Sequence, residues 1–182
     1  ARPAMSGRKA FLTLDAPAEH HEEVKGSLFI AYAQRADTAH QVNALLRSVV
    51  SRHADASHLC WAYRIDDQYR FSDGGEPSGT AGQPILRAIE GQRLNHIVVG
   101  VIRYFGGTLL GAGGLMRAYG GVASEALRTA KRLEVLPRVR VTIETPFEHT
   151  GALYRLLDSF DGQDRSEEYT AIGLLLSVHI LA

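Results

Sequence analysis

The fold turns on residues 95–122, NHIVVGVIRYFGGTLLGAGGLMRAYGGV. Asn95–Tyr104 is a near-continuous apolar run, the signature of a strand buried on both faces. Phe105–Gly114 is dense in glycine. Glycine costs backbone entropy and contributes no side chain, so a cluster between apolar elements marks special dihedrals or close backbone approach. A flexible spacer would have polar surroundings instead. From Leu115 to about Leu133 the pattern is helical, with Leu115, Met116, Tyr119, Val122, Ala123, Ala126, Leu127 and Ala130 facing inward. Arg128, Lys131 and Arg132 complement the dipole in its last turns.

Upstream, Ser72–Gly82 is a second glycine-rich loop, and Pro84 suits the first turn of a short helix carrying Ile85, Leu86 and Ile89. Ser57–Ile65 and Gln68–Ser72 read as a hairpin turned at Asp66-Asp67. Thr38 caps a helix to about His53, with Ala39, Val42, Leu45, Leu46, Val49 and Val50 on one face. Lys25–Ala33 has the content of a strand. Ala16–Glu23 is polar, holds a proline and reads as loop; Arg8–Leu14 is short and mildly apolar. The four residues before Met5 read as an expression remnant and stand outside the fold argument.

Downstream, Pro137 marks a boundary. Arg138–Thr145 alternates as a half-buried strand with Val139, Val141 and Ile143 on one side. Glu148–Phe160 is an amphipathic helix through Leu153, Leu156, Leu157 and Phe160, and Ser166–Thr170 and Ile172–Leu181 are strands. This β-α-β-β run is three quarters of a ferredoxin-like unit. The expectation is an α+β chain of two domains, residues 8–136 and 137–182, the second incomplete.

Composition excludes several classes. With 182 residues, 45% apolar and 22% charged, the chain buries an ordinary core. Its zero formal net charge creates no global field toward nucleic acid or membrane. Locally, Ile85–Arg140 holds nine basic residues against Glu90, Glu125 and Glu134. That excess suits a phosphate backbone or the solvated faces of two helices. The single cysteine, Cys60, rules out an internal disulfide and a multi-cysteine metal site. The absence of any membrane-length apolar run or signal-peptide core places the expectation in the cytoplasm, without membrane contact.

The chemistry centres on the two glycine loops. A glycine turn entering a helix binds anions, because free N–H groups and the dipole point at the ligand. Gly106, Gly107, Thr108, Gly111, Gly113 and Gly114 fit that arrangement, though the spacing is neither a P-loop nor a dinucleotide fingerprint. The alternative is that these glycines only permit tight packing. Arg103 interrupts a strand that should be buried, so its guanidinium needs a partner, and Asp73 or Glu76 is the candidate. With Ser78 and Thr80 those carboxylates suggest a supporting loop, an acid–base pair or a Mg²⁺ site. Arg117 lies close to the second loop in sequence. His58 and Cys60 share a strand face and read as a packed pair. Trp61, Tyr63, Tyr104 and Tyr119 are core aromatics or bases' stacking partners.

The motifs SDGGEPSGTAGQPIL and VIRYFGGTLLGAGGLMRAYGG, with KGSLFIAYA and SHLCWAY before them, resemble the bacterial, YigZ-type branch of the Impact family over about Glu22–Leu133. The resemblance implies a first domain like domain two of ribosomal protein S-five and domain four of elongation factor G. It implies a second domain like the ferredoxin-like domain five of that factor. It further implies a non-enzymatic RNA- or ribosome-binding role in translation, with no cofactor and no metal. Eukaryotic members engage a starvation-responsive kinase through an additional domain that this sequence does not present. Gly74 stands where the family often has a second Asp after Asp73, which argues against a two-carboxylate metal site. A phosphorylated small molecule held by the glycine loop is the alternative ligand. Oligomeric state is not encoded in any motif.

Overall fold

Residues 97–104 form the middle strand of a five-stranded antiparallel sheet. The computed structural model describes residues 10–181, so the stretch before Met5 and the start of the 8–14 segment lie outside the described residues. They divide into two compact units, Phe11–Glu134 and the residues from Val135 onward.

The first unit runs β1 (Phe11–Leu14), β2 (Ala18–Val24), β3 (Ser27–Arg35), α1 (Ala39–Arg52), β4 (His58–Ile65) and β5 (Gln68–Ser72). It continues with α2 (Gly82–Gly91), β6 (Ile97–Tyr104), α3 (Gly111–Thr129) and β7 (Arg132–Val135). The main sheet has the order β2-β3-β6-β4-β5, and β1 pairs with β7. One sheet face sends Phe29, Cys60, Val99 and Val101 against Ile85, Ile89, Tyr119 and Val122 of α2 and α3. The other sends Ile30, Tyr32, Val98 and Ile102 against Val42, Leu45 and Val49 of α1. Burial on both faces explains the unbroken apolar run of β6. Each such side chain contributes about 1.5–3 kcal/mol.

Three expectations are corrected. The 16–23 segment contains strand β2, because Lys25 and Gly26 at φ 49° and 80° form a tight hairpin turn onto β3. Its charged residues suit an exposed sheet edge. The long helix begins at Gly111, so three of the loop glycines are helical, and it stops at Thr129. Arg132–Val135 leaves it to pair with β1, where Asp15 N–H donates to the Lys131 carbonyl at 2.9 Å. Met116 and Val50, expected inward, are 38% and 50% exposed.

The second unit runs β8 (Arg138–Pro146), a single 3₁₀ turn, α4 (Thr150–Leu157), β9 (Gln163–Tyr169) and β10 (Gly173–Leu181). The helix is shorter than the expected 148–160. Its sheet order is β8-β10-β9, all antiparallel, so β8 and β9 run parallel with β10 between them. That is the strand arrangement of a split βαβ unit. Leu153, Leu174, Leu176 and Val178 form its core, with Val141 and Ile143 opposite Val178 and Leu176 in the register.

Candidate functional site

Glu76 is the hub of a buried polar cluster beneath the glycine loop. Its Oε1 accepts from Arg103 Nη1 at 2.7 Å and from the Tyr119 hydroxyl at 2.8 Å. The Glu76 and Arg103 side chains are 4% and 6% exposed. Arg103 Nη2 donates to Ser27 Oγ at 3.3 Å, and the same oxygen accepts the Gly106 N–H at 3.2 Å. A continuous path therefore runs from Glu76 through Arg103 and Ser27 to the base of the loop. The Arg103 guanidinium lies 5.5 Å from the Phe29 ring and 5.3 Å from the Phe105 ring, and its Nε has no partner among the described residues.

Asp73 does different work. Its Oδ1 accepts the N–H groups of Ala81 and Gly82 at 3.0 and 2.9 Å, and its Oδ2 accepts that of Gly79 at 2.9 Å. No side chain nearer in sequence caps α2, so Asp73 supplies the missing acceptor from across the loop. Burial opposes its ionisation, but the three backbone donors outweigh that and hold its pKa below the ordinary carboxylate value. Both oxygens are thus occupied by main chain. The Asp73 carbonyl accepts from Cys60 Sγ at 3.0 Å. Burial pushes the Cys60 thiol up to about 12, far from the thiolate a nucleophile requires at neutral pH. Burial likewise raises the Tyr119 phenol. His58 Nδ1 donates to the Gly74 carbonyl at 3.0 Å, since a carbonyl only accepts, while its Nε2 stands 3.9 Å from Glu76.

The two glycine loops resolve differently. Gly74, at φ 56°, is pressed against the Leu59 carbonyl, so a Cβ there has no room. Gly106 is pressed in the same way against the backbone of Gly26. These two are packing glycines. Gly107 and Gly111 also have positive φ, 83° and 71°, yet nothing lies within 4 Å of where a Cβ would stand. Around them Phe105 and Leu109 are 48% and 84% exposed, and Thr108 and Gly113 are exposed too. The α3 N-terminus, with Leu110 at the cap, has no side-chain acceptor, which leaves its first N–H groups open. The Arg117 guanidinium lies back along this turn: a Cβ on Gly113 would sit 3.5 Å from its Nη1.

The structure therefore separates the sequence-derived residues into two groups. Asp73, Glu76, Thr80 and Arg103 belong to the buried support, with Thr80 Oγ1 donating to the Pro77 carbonyl at 2.6 Å. Gly107, Thr108, Gly111, Gly113 and Arg117 form the outward part, Gly106 joins the two, and Gly114 is half-buried against Leu110. Ser78 is exposed. Ser27 escaped sequence reasoning; the Lys25-Gly26 turn was the signal that would have placed it beside the loop. Much of the basic excess is spent internally, in Arg128–Glu125, Lys131–Asp15, Arg138–Asp161 and Arg132–Gln92 contacts.

The family model of the Impact N-terminal domain matches residues 25–127. The chain belongs to the Impact family. It is 48% identical over 134 residues to the "IMPACT family member in pol 5'region" of Thermus thermophilus, covering 74% of this chain and 73% of that one. It is 37% identical over 172 residues to the IMPACT family member YigZ of Escherichia coli, covering 92% and 84%. A solved structure described as a hypothetical protein shares its fold at a TM-score of 0.75 and 34% identity, over 96% of this chain and 86% of the other. The α+β fold is that of the Impact family: an S-five domain-two-like unit followed by a ferredoxin-like one. The matched Impact segment contains the whole of the site, from Ser27 to Tyr119. Among the described residues, no helix is long and apolar enough to cross a membrane.

Proposed function

We propose that this Impact-family chain is a non-enzymatic RNA- or ribosome-binding factor that serves translation in the cytoplasm, with residues 8–136 and 137–182 as its two domains. The observation that carries the reading is the exposed Phe105–Leu110 loop, which leads into an uncapped α3 N-terminus at Gly111 with Arg117 laid along it. Open amides and a guanidinium suit a phosphate backbone. Arg103 and Glu76 hold the loop from below, and Asp73, Ser78 and Thr80 belong to the neighbouring turn. A non-enzymatic role agrees with carboxylates committed to main chain and guanidinium and with a thiol raised to about 12.

Binding of ribosomal or transfer RNA, followed by fluorescence anisotropy, should weaken steeply with salt. Arg117→Ala should reduce the slope of log K against log salt by about one. A complex indifferent to salt, or unchanged by Arg117→Ala, would count against the loop as the contact. The open positive-φ sites at Gly107 and Gly111 also suit the terminal phosphate of a small molecule. A thermal-shift screen separates the two readings, because a ligand at a hundred times its Kd adds about 2.7 kcal/mol.

A further inference from the structure

The sheet face turned toward α1 carries a second surface, opposite the face that α2 and α3 cover. Cys60 and Ala62 of β4 point into the α2–α3 core, so alternation turns Trp61 and Tyr63 to the opposite face. There α1 covers Val98 and Ile102, while Trp61 and Tyr63 remain half-buried toward the β5 margin. The two rings are already stacked, with centroids 6.1 Å apart and planes 11° from parallel. Among the described residues neither the indole N–H nor the Tyr63 hydroxyl is shut away from solvent without a partner. Half-buried, and in no hydrogen bond among the described residues, both polar tips are open to a ligand, whereas buried Trp and Tyr usually have theirs engaged by protein.

The charged side chains that α1 and β5 bring beside these rings are basic. Tyr63 stands directly across from Arg70 on β5. A hollow of about 500 Å³ lies between Ala39, Tyr63, Gln68, Tyr69 and Arg70, with Asp67 as the carboxylate on its rim. A second, of about 340 Å³, follows α1 past Leu46, Arg47 and Val50. Leu46 links α1 to the aromatic pair, because Gly100 pairs with Trp61 and a Cβ on it would sit 3.4 Å from Leu46. Neither α1 nor β5 contains Asp or Glu. Arg70 and Arg47 are exposed and have no carboxylate partner among the described residues.

We infer that Trp61 and Tyr63, flanked by Arg70 and Arg47, form a base-stacking platform for single-stranded RNA. Bases stack on flat rings whatever their sequence, and unneutralised guanidinium groups take the adjoining phosphates. A preformed ring pair needs no ordering on binding. Free N–H and O–H tips reach base edges that an apolar protein ligand would leave unused. The inference shares with the proposed function the premise that RNA is the partner, but it places the bases on a different surface.

Trp61 is the single tryptophan of the chain, so its emission reports this surface alone. The full chain is titrated with short oligouridylate and oligoadenylate, following tryptophan emission and the anisotropy of end-labelled copies together. Inorganic polyphosphate serves as the base-free polyanion. Both oligonucleotides should quench Trp61 and saturate in step with anisotropy, while polyphosphate leaves emission unchanged. Tyr63→Ala should weaken binding about 5- to 100-fold. Should that variant unfold, Arg70→Gln tests the same point from an exposed position: it should keep the quench at saturation and lower the salt slope by about one. Anisotropy rising without quench overturns the platform and leaves the loop contact standing. Quench that survives Arg117→Ala with unchanged affinity supports the platform and overturns the loop. Equal quench by polyphosphate, or no binding at all, overturns the platform, and the second of these overturns both.

Discussion

Arg103 and Glu76 place opposite charges where water hardly reaches, and removing one partner strands the other. Arg103→Ala should therefore destabilise the first unit by about 3–5 kcal/mol in urea unfolding. The double change Arg103→Met with Glu76→Gln should recover most of the loss, since neither buried charge then remains. A single-variant loss below about 1 kcal/mol would show that the pair behaves as a surface bridge. Cys60 gives a second reading at this scale. Being fully buried and raised to about 12, its thiol should react with a disulfide reagent at neutral pH only as fast as the protein opens. Immediate labelling of the folded chain would contradict that. The need for a carboxylate partner at Arg103 was legible from its place in an apolar strand. Which carboxylate was not, because the choice lies in the turn where the Glu76 N–H donates to the Asp73 carbonyl, aiming one side chain inward and the other at α2.

Among the elements, α2 depends on a residue nine positions before its first helical one: Asp73 caps Gly82. Asp73→Ala should cost about 1–3 kcal/mol at neutral pH. The folded-state pKa of Asp73 is lowered, so its contribution is complete above the ordinary carboxylate pKa of about 4. It disappears as pH falls through the depressed folded value. Urea midpoints of the two proteins should therefore differ at neutral pH and converge in acid; a gap that widens in acid would refute the assignment. Element identity was readable wherever periodicity was strong, as in β6, α1 and the β4–β5 hairpin. It failed for β2 and β7, whose charged or short sequences become strands only because β3 and β1 offer them partners. It failed also for the start of α3. Glycine's low helix propensity hid a first turn that packing of Leu115 and Tyr119 supports from farther along.

On the scale of the whole molecule, the two units are unequally endowed. The second rests on a core of four buried side chains, against two larger clusters in the first. Native-state hydrogen exchange should accordingly show β10 amides less protected than those of β6. Equal protection would mean that the smaller unit opens only with the larger. The two larger sheets share one trait: the strand that comes late in the chain enters the middle. β6 separates β3 from β4, and β10 separates β8 from β9. During synthesis the earlier strands must wait with open hydrogen-bonding margins until their centre emerges, a period of exposure to misassociation. A premature stop before Gly173 would remove the keystone of its sheet, leaving two flanking strands with nothing between them.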